Sequence, residues 1–565
     1  MSPETYPLDI YSPMRAAWAT EFSMNKSMIA AALVVASAPV RAEIDPIVII
    51  GDRYESPVES LAQAIHVISK QDIADRGAKT VGEALQSLPQ ISISDTIGNG
   101  NNPAIRMRGY GSSNVLVLID GSPLNTATTQ LPALNTIPLS TVSRIEIMEG
   151  SGGVLYGSGA VGGVINIVTT VSDESSLSLS AGSHGYGQVV AETAIPFATG
   201  VATVLVAATT SDGYRDNTDF DDNKFAIGLQ SDTGGYQHRV DVQVTRAEQQ
   251  YLSGSTADML AANPRGGLTA DTNDNETYRI QYRGTQLDQG NPLSVAAKWL
   301  KSSQQGTVSG TTQFNQTTES ISVSPQLLIE SYDMLVGLDA QATDFEFNSP
   351  TATYATRVQR SDQHQVSVFA RRGVKVSENS HLALGARVTA VADDISKVDE
   401  AGGALTASTL RDKQTLTAWE AAIRHSLTEN TQLTARVDTH YRIPTLDEQA
   451  GYAPFPSSLL KAQTGRSTEL GLSTTLGRAN LSANIYQTDL RDEIAFQSPA
   501  NLSRYGNFNI DQTRRAGASA TLRMPVSASA EVSANIARVD ATITGGDHSG
   551  KKVPLVPERS ASVEL

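Results

Sequence analysis

The sequence predicts a mainly β protein: a transmembrane antiparallel β-barrel over residues 175–565, preceded by a compact α+β domain over 52–170. Three observations point there. An export signal lies near the N-terminus, and apolar and polar residues alternate with period two through the long C-terminal region. No apolar run reaches the ~18–20 residues that a membrane-crossing helix needs. A barrel escapes that last limit, because its strands are short and half polar.

Composition narrows the field first. The chain has 565 residues, with 43 Lys+Arg against 59 Asp+Glu and a formal net charge of −16. A nucleic-acid partner would need a basic excess or patch, so none is expected. With no cysteine, thiolate zinc sites, disulfides and a Cys nucleophile are excluded.

From Met24, Lys26 supplies a positive n-region, Met28 to Ala38 an apolar h-region, and Val40 and Ala42 a small-x-small cleavage pattern. This is the layout of a secretory signal peptide over 24–42. The alternative, a buried helix, lacks any capping pattern to frame it. Residues 1–23 precede any sensible n-region and read as a spurious upstream extension, with Met24 as the start. Residues 1–42 hold as many acidic as basic residues, so their removal leaves the charge unchanged. An exported chain without disulfides needs another source of rigidity, which a closed sheet supplies.

In the α+β domain, a strand at Ala64 to Ile68 leads to helices at Lys70 to Arg76 and Val81 to Ser87. Short apolar runs follow at Val115 to Ile119, Arg144 to Met148 and Val164 to Thr169. Beyond residue 175 the period is two. Val240, Val242 and Val244 alternate with polar neighbours, as do Leu481, Ala483 and Ile485, Val532, Ala534 and Ile536, and Leu382 to Val388 around Arg387. About 18 such segments occur, each with one apolar and one polar face. A soluble solenoid or propeller would show a fixed repeat of about 20–50 residues, and none is found. Aromatics are few, with 17 Tyr, 11 Phe and 3 Trp, so the interfacial belts should be thin in Trp.

Several motifs together resemble the TonB-dependent outer-membrane receptors of Gram-negative bacteria. Asp45-Pro46-Ile47-Val48-Ile49, in the leader 43–51, resembles the TonB box; an extended segment of this kind can add to a sheet edge of a periplasmic partner. Val81 to Leu85, Ile105-Arg106-Met107-Arg108-Gly109-Tyr110-Gly111, Val115 to Gly121, Val142 to Ile147 and Gly157 to Ile167 are similar, in order and spacing, to the family's plug. In the barrel, Asp212 to Asn217, Tyr441 to Glu448, Ser467 to Gly471 and Tyr505 to Gly517 follow the family order. Two departures are Glu149, where Arg is usual before Gly150, and Ser151, where Pro is frequent. They put the local plug salt bridge in doubt.

The resemblance implies a barrel of about 22 strands enclosing the plug. The roughly 18 seen here predict missing C-terminal strands and an open wall between the first strand and the last. It also implies a transporter rather than an enzyme, with partners TonB (through 45–49), outer-membrane lipid and a scarce ligand. A ferric siderophore is the first expectation and cobalamin the alternative. A non-transporting barrel or adhesin is a rival from another class, as is a signal-transducing receptor. The latter needs a folded domain before the TonB box, where only Glu43 and Ile44 follow the cleavage site.

Candidate site residues follow from these readings. Arg106, Arg108 and Arg144 would pair with barrel carboxylates, Glu469 first among them, as a plug-to-barrel lock, since buried charges need partners; ordinary charge in a wet gap is the alternative. Polar loops 97–104 and 123–135 would face the ligand through Asn99, Asn101, Asn102, Asn125, Thr129 and Gln130. Asp212, Asp216, Asp219, Asp221 and Asp222 crowd one loop, with Asp271, Asp274 and Glu276 in another. Such carboxylates could hold Ca²⁺, and a solvated acidic rim is the plainer reading; no other cofactor is expected. Gly157 to Gly162 fits G-x-G-x-x-G, but a β pattern follows it where a dinucleotide site needs a helix.

Overall fold

A computed structural model describes residues 47–565, apart from 49, 51–52, 55, 58–62, 87, 89, 95–103, 126–133, 135–136, 172–173, 253–255, 268–269, 288–290, 309, 311, 350–355, 402–403, 451–458, 498–505 and 528–529. The signal-peptide reading and residues Asp45, Pro46, Ile49, Asn99, Asn101, Asn102, Thr129 and Gln130 lie outside the described residues.

The N-terminal region opens with two short strands, β1 (Ile47–Val48) and β2 (Ser56–Pro57), paired antiparallel. Next come β3 (Ile65–Ser69) and α1 (Lys70–Asp75). Ser69 caps α1 through a reciprocal box with Asp72, which satisfies two otherwise orphaned N–H groups. Thr80 likewise caps α2 (Val81–Leu85). The remaining strands are β4 (Ile91–Ser94), β5 (Ala104–Met107), β6 (Val115–Ile119), β7 (Ser122–Pro123), β8 (Val142–Glu149) and β9 (Gly163–Thr169). A one-turn helix, α3 (Gly153–Tyr156), precedes β9.

Five of these strands form one sheet in the order β3-β8-β9-β6-β7, with β6 and β9 parallel. Residues Val115 to Ile119 are buried throughout, as a strand covered on both faces should be. Asp120 and Gly121, at φ 48° and 75°, turn β6 into β7; two positive φ values suit a two-residue hairpin. Gly157 and Gly159 also take positive φ, and the chain runs from them into β9, so the G-x-G-x-x-G stretch opens no helix.

The rest is an 18-stranded antiparallel sheet in sequence order. Its first nine strands are β10 (Ser176–Ala181), β11 (Gly187–Phe197), β12 (Gly200–Ser211), β13 (Phe220–Thr233), β14 (Tyr236–Leu252), β15 (Ala270–Gln286), β16 (Leu293–Val308), β17 (Thr312–Ile329) and β18 (Met334–Asn348). The second nine are β19 (Thr356–Ser377), β20 (Ser380–Ala401), β21 (Ala404–Thr428), β22 (Thr431–Arg442), β23 (Gln463–Leu476), β24 (Ala479–Gln497), β25 (Gly506–Pro525), β26 (Glu531–Ile543) and β27 (Arg559–Glu564). Pairing is one-sided for β10, which meets β11, and for β27, which meets β26. The wall is therefore not joined between its first and last described strands. Helix α4 (Ala257–Ala262) sits in the long β14–β15 connection.

Alternation now has a direction. On β20, Leu384 and Val388 are exposed while Arg387 and Thr389 are buried. Ile321, Val366, Val368, Trp419, Leu470 and Ile485 join the outward apolar set, which suits contact with lipid. Two-residue turns at 198–199, 234–235, 378–379, 429–430 and 477–478 close one end, and longer connections such as 212–219 lie at the other. Tyr54 donates to Asp333 (3.1 Å), just before β18, so the leader lies at the short-turn end.

Close packing in the plug makes one glycine decisive. A Cβ at Gly163 would lie 2.0 Å from Met107 Sδ and 2.7 Å from the Met148 carbonyl oxygen, whereas Gly111 faces open space. Gly163→Val should destabilise the plug by about 1–3 kcal/mol through overpacking, and Gly111→Ala should not. Protease resistance of the plug during thermal melting, for both variants, checks this.

Candidate functional site

Charged residues of the inner wall meet the plug at several places, and three of these hold its Arg108 turn, helix α3 and the leader. At the first, Arg108 and Gly109 form the turn between Met107 and Tyr110, at φ 52° and 79°. A non-glycine residue in this left-handed region costs roughly 1–2 kcal/mol, and here it aims a guanidinium at the wall. Arg108 Nη1 and Nη2 donate to the Glu469 carboxylate at 3.2 and 2.8 Å, and Nε donates to Glu149 Oε2 at 3.1 Å. His66 Nε2 lies 2.6 Å from Glu149 Oε1, and Asn484 donates to Glu469. A fork-shaped cation between two carboxylates suits arginine better than lysine.

Aromatic rings complete this node in a crosswise manner. The plug's Arg108 lies over Tyr486 of β24 at 4.3 Å, and Arg515 of β25 lies over Tyr110 of the plug at 4.1 Å. Gly517 makes room for the first ring, since a Cβ there would stand 2.5 Å from Tyr486 Cζ. Arg515 is in turn held by Glu493 at 2.9 and 2.6 Å and donates to the Gly109 carbonyl at 3.2 Å.

Protonation follows from this geometry. Burial alone would raise the Glu149 carboxyl, but the Arg108 charge and the His66 contact outweigh it and hold the group at about 2. Burial pushes the Tyr110 phenol up to about 12, so the ring stays neutral beneath Arg515.

At the second place, α3 inserts into the wall. Val154 packs with Tyr441, and Leu155 with Phe369 and Leu335. Gly153 is needed there, because a Cβ would lie 2.9 Å from His440 Cβ and 3.2 Å from the Thr439 carbonyl. Arg436 donates to the Ser151 carbonyl and pairs with Glu420 at 3.0 Å.

At the third place, the leader is docked. Ile50 N–H donates to the fully buried Glu146 (3.0 Å), and Tyr156 Oη donates to the Ile50 carbonyl (2.9 Å). Arg53 bonds to Asp339 of β18 at 3.3 Å, and its guanidinium lies 4.9 Å from the Phe369 ring and 5.4 Å from that of Tyr156. Arg387 meets the same Asp339 at 2.7 Å. Ile47 and Val48 of the box pair with Pro57 and Ser56.

Other expected residues stand elsewhere. Arg144 pairs with Glu146 inside the plug at 2.8 Å, not with a barrel carboxylate. Its strand partner there is Ser69 of β3, away from the Glu469 wall. Arg106 lies half-buried on β5 with no ion pair among the described residues. Glu149 does not remove a plug salt bridge; it supplies the second carboxylate to Arg108. Asn125 spends its amide on the plug backbone, accepting from Val117 N–H (2.7 Å) and donating to the Val115 carbonyl (3.2 Å).

The five aspartates are not gathered either. Asp221 and Asp222 are successive on β13 and face opposite sides, Asp222 lies 3.7 Å from Lys224, and Asp216 pairs with Arg265 at 3.2 Å. Among the described residues no three His or carboxylate groups converge at metal spacing.

Two cavities flank the plug. One of about 170 Å³ runs past Pro123, Asn125 and Tyr156 to Thr445. Another of about 230 Å³ lies between Ile65, His66 and Glu149 and the wall near Asn430 and Ser519. Gln63 Oε1, Gln90 Oε1, Asn484 Oδ1 and Thr521 Oγ1 have no protein hydrogen-bond partner among the described residues and line this polar cavity.

A polar-lined sheet filled by a separately folded domain, with a docked N-terminal leader, defines a plugged membrane barrel. The chain belongs to the TonB-dependent receptor family. Residues 57–164 match the TonB-dependent Receptor Plug Domain and 192–565 the TonB dependent receptor-like, beta-barrel domain. It is similar to the Vitamin B12 transporter BtuB of Vibrio vulnificus strain CMCP6, at 32% identity over 281 residues, 47% of this chain and 45% of that protein. The chain thus spans less than half the length of that relative. With BtuB of strain YJ016 it shares 23% over 522 residues, 87% of this chain and 79% of that one. In fold it resembles the ferric yersiniabactin uptake receptor FyuA from Yersinia pestis (TM-score 0.73, 17% identity, covering 88% of this chain and 82% of that). The siderophore receptor PiuA from Acinetobacter baumannii is similar too (TM-score 0.73, 17% identity, 90% and 85%).

Two outcomes follow. Arg108→Ala leaves Glu149 and Glu469 buried and facing one another, which should weaken plug seating by about 3–5 kcal/mol. Denaturant-induced protease exposure of the plug, compared with wild type, measures it. Because the folded pKa of Glu149 lies below its ordinary 4.5, its contribution is complete above that pH and falls as pH drops toward 2. A pH series of the same measurement should show this loss, and Glu149→Gln should flatten it.

Proposed function

We propose that this chain is an active transporter of the outer membrane, taking up a scarce ligand too large for passive pores with energy delivered through TonB. One observation carries the reading: a separately folded plug fills the sheet, held largely by ion pairs and hydrogen bonds, with its leader docked at the short-turn end. Polar attachments in a wet seam can be exchanged for water without exposing an apolar core. A pull on residues 45–49 would act first on Ile50 and Arg53, then on the sheet strand β8 that carries Glu146 and Glu149. The Arg108 pair with Glu469 acts as the lock between plug and wall.

The ligand is a metal chelate. The family resemblance implies a ferric siderophore. Cobalamin is the second reading, favoured by the 32% and 23% identity to vitamin B12 transporters.

Deleting residues 45–49 should abolish uptake while surface binding persists, and unaffected uptake would overturn the mechanism. Uptake of labelled ferric siderophores, haem and cobalamin by cells carrying the intact gene separates the ligand readings. Asp339→Asn, which weakens the hold on Arg53, should make the leader more accessible to protease without loss of the folded barrel. Digestion of intact outer membranes from the periplasmic side checks that outcome.

A further inference from the structure

Beside the turn Asp120–Gly121, the inner wall carries more positive charge than its neighbours balance. Arg279, Gln281 and Arg283 share one face of β15, and Lys298 of β16 stands opposite Gln281. Gln281 and Lys298 are buried, as is Arg279. No carboxylate lies within ion-pair distance of Arg279, Arg283 or Lys298 among the described residues. The nearby Asp120 and Asp241 are both engaged by Arg239, at 3.3 and 2.9 Å.

Their hydrogen bonding is incomplete as well. Arg279 donates to Gln243 Oε1 (2.6 Å), yet its buried Nε has no partner. Lys298 Nζ donates to the Pro123 carbonyl (2.5 Å), one of the three bonds an ammonium can make. Lys298 lines the flanking cavity of about 170 Å³, and Arg279 lines a further one of about 80 Å³ on the other side of the turn. The same cavity as Lys298 is also lined by Arg53 and Arg387, which share the carboxylate of Asp339, and by Arg442, which Glu448 holds at 2.8 Å. Buried cations without counter-charges are expensive to keep. In a chain whose net charge is −16, their concentration on two adjacent strands is opposite to the overall bias.

We propose that Lys298, Arg283 and Arg279 form an oxyanion-binding station on the inner wall, which takes a carboxylate or phosphate group beside the plug. Two sources share that chemistry, a free small anion and the acidic group of a passing solute; the second rests on the transport reading above. The plug turn at Gly121 covers the station, since a Cβ there would stand 2.7 Å from Arg283 Nη2. Displacement of that turn would open the station to both cavities.

The test uses the full chain in a maltoside detergent, with inorganic phosphate as probe and chloride at matched ionic strength as control. Phosphate should raise the thermal midpoint saturably, by at least about 2 °C, and Lys298→Met with Arg283→Gln should abolish the rise. The double variant should also melt higher than wild type in chloride, because it removes uncompensated buried charge. Should it fail to fold, Lys298→Gln alone must weaken the phosphate response about tenfold. No rise over chloride, or an equal rise in the variants, overturns the proposal. In cells, a station serving transport makes the variants lose uptake of acidic panel members selectively. A phosphate response that persists while no panel member is taken up upholds the station and overturns the transport reading alone.

Discussion

The seat of the plug depends on one cation placed between two carboxylates from different domains. Arg108 reaches Glu149 of its own domain and Glu469 of the wall, and its charge is what holds the buried Glu149 ionised against the cost of burial. Its position is set by a left-handed turn held by the paired Met107–Tyr110 bonds, the Gln90 carbonyl and Arg515 of the wall. The local backbone cost is thus tied to the long-range contact, and each is justified by the other. The crossed Arg–Tyr stacks extend the same arrangement, since each domain lends a cation to the other's ring.

Around this centre the attachments differ in kind. Helix α3 is held by apolar contacts with β18, β19 and β22 and by the close approach of Gly153. The leader is held by Glu146, Tyr156 and Asp339. Glu146 also binds Asn166 of β9 at 3.1 Å, so the same buried acid organises the central sheet and grips the leader. Mechanical separation of leader and sheet is therefore not free of consequence for the plug core.

Much of the architecture was legible because it rests on periodicity. The alternation around Arg387 and through Leu481 to Ile485 marks which side chains face out, and sequence-adjacent strands pair in order. Val115 to Ile119 and the Asp120–Gly121 turn could be read directly. The site was less legible because it is built from long-range pairs. Arg108 and Glu469 are 361 positions apart, and nothing local distinguishes Arg108 from Arg106, whose strand position turns it away. Glu149 looked like a defect against the family pattern until its partner was known. Arg53, Asp339 and Arg515 were passed over, although inward-facing charge on a period-two strand was a usable signal. Crowding of aspartates over 212–222 says little about a shared site, because Asp221 and Asp222 are successive on a strand and point to opposite faces.

The polar seam beside His66 and Glu149 has a thermodynamic consequence. Exposing polar surface lowers heat capacity whereas exposing apolar surface raises it. Release of the plug exposes both kinds, the ion pairs and amides of the seam and the apolar side chains around α3, so the two contributions to the heat capacity oppose one another. Dissolved salt is a weak lever on the same boundary, because the pairs around Arg108 are buried and are screened far less than charges at a surface.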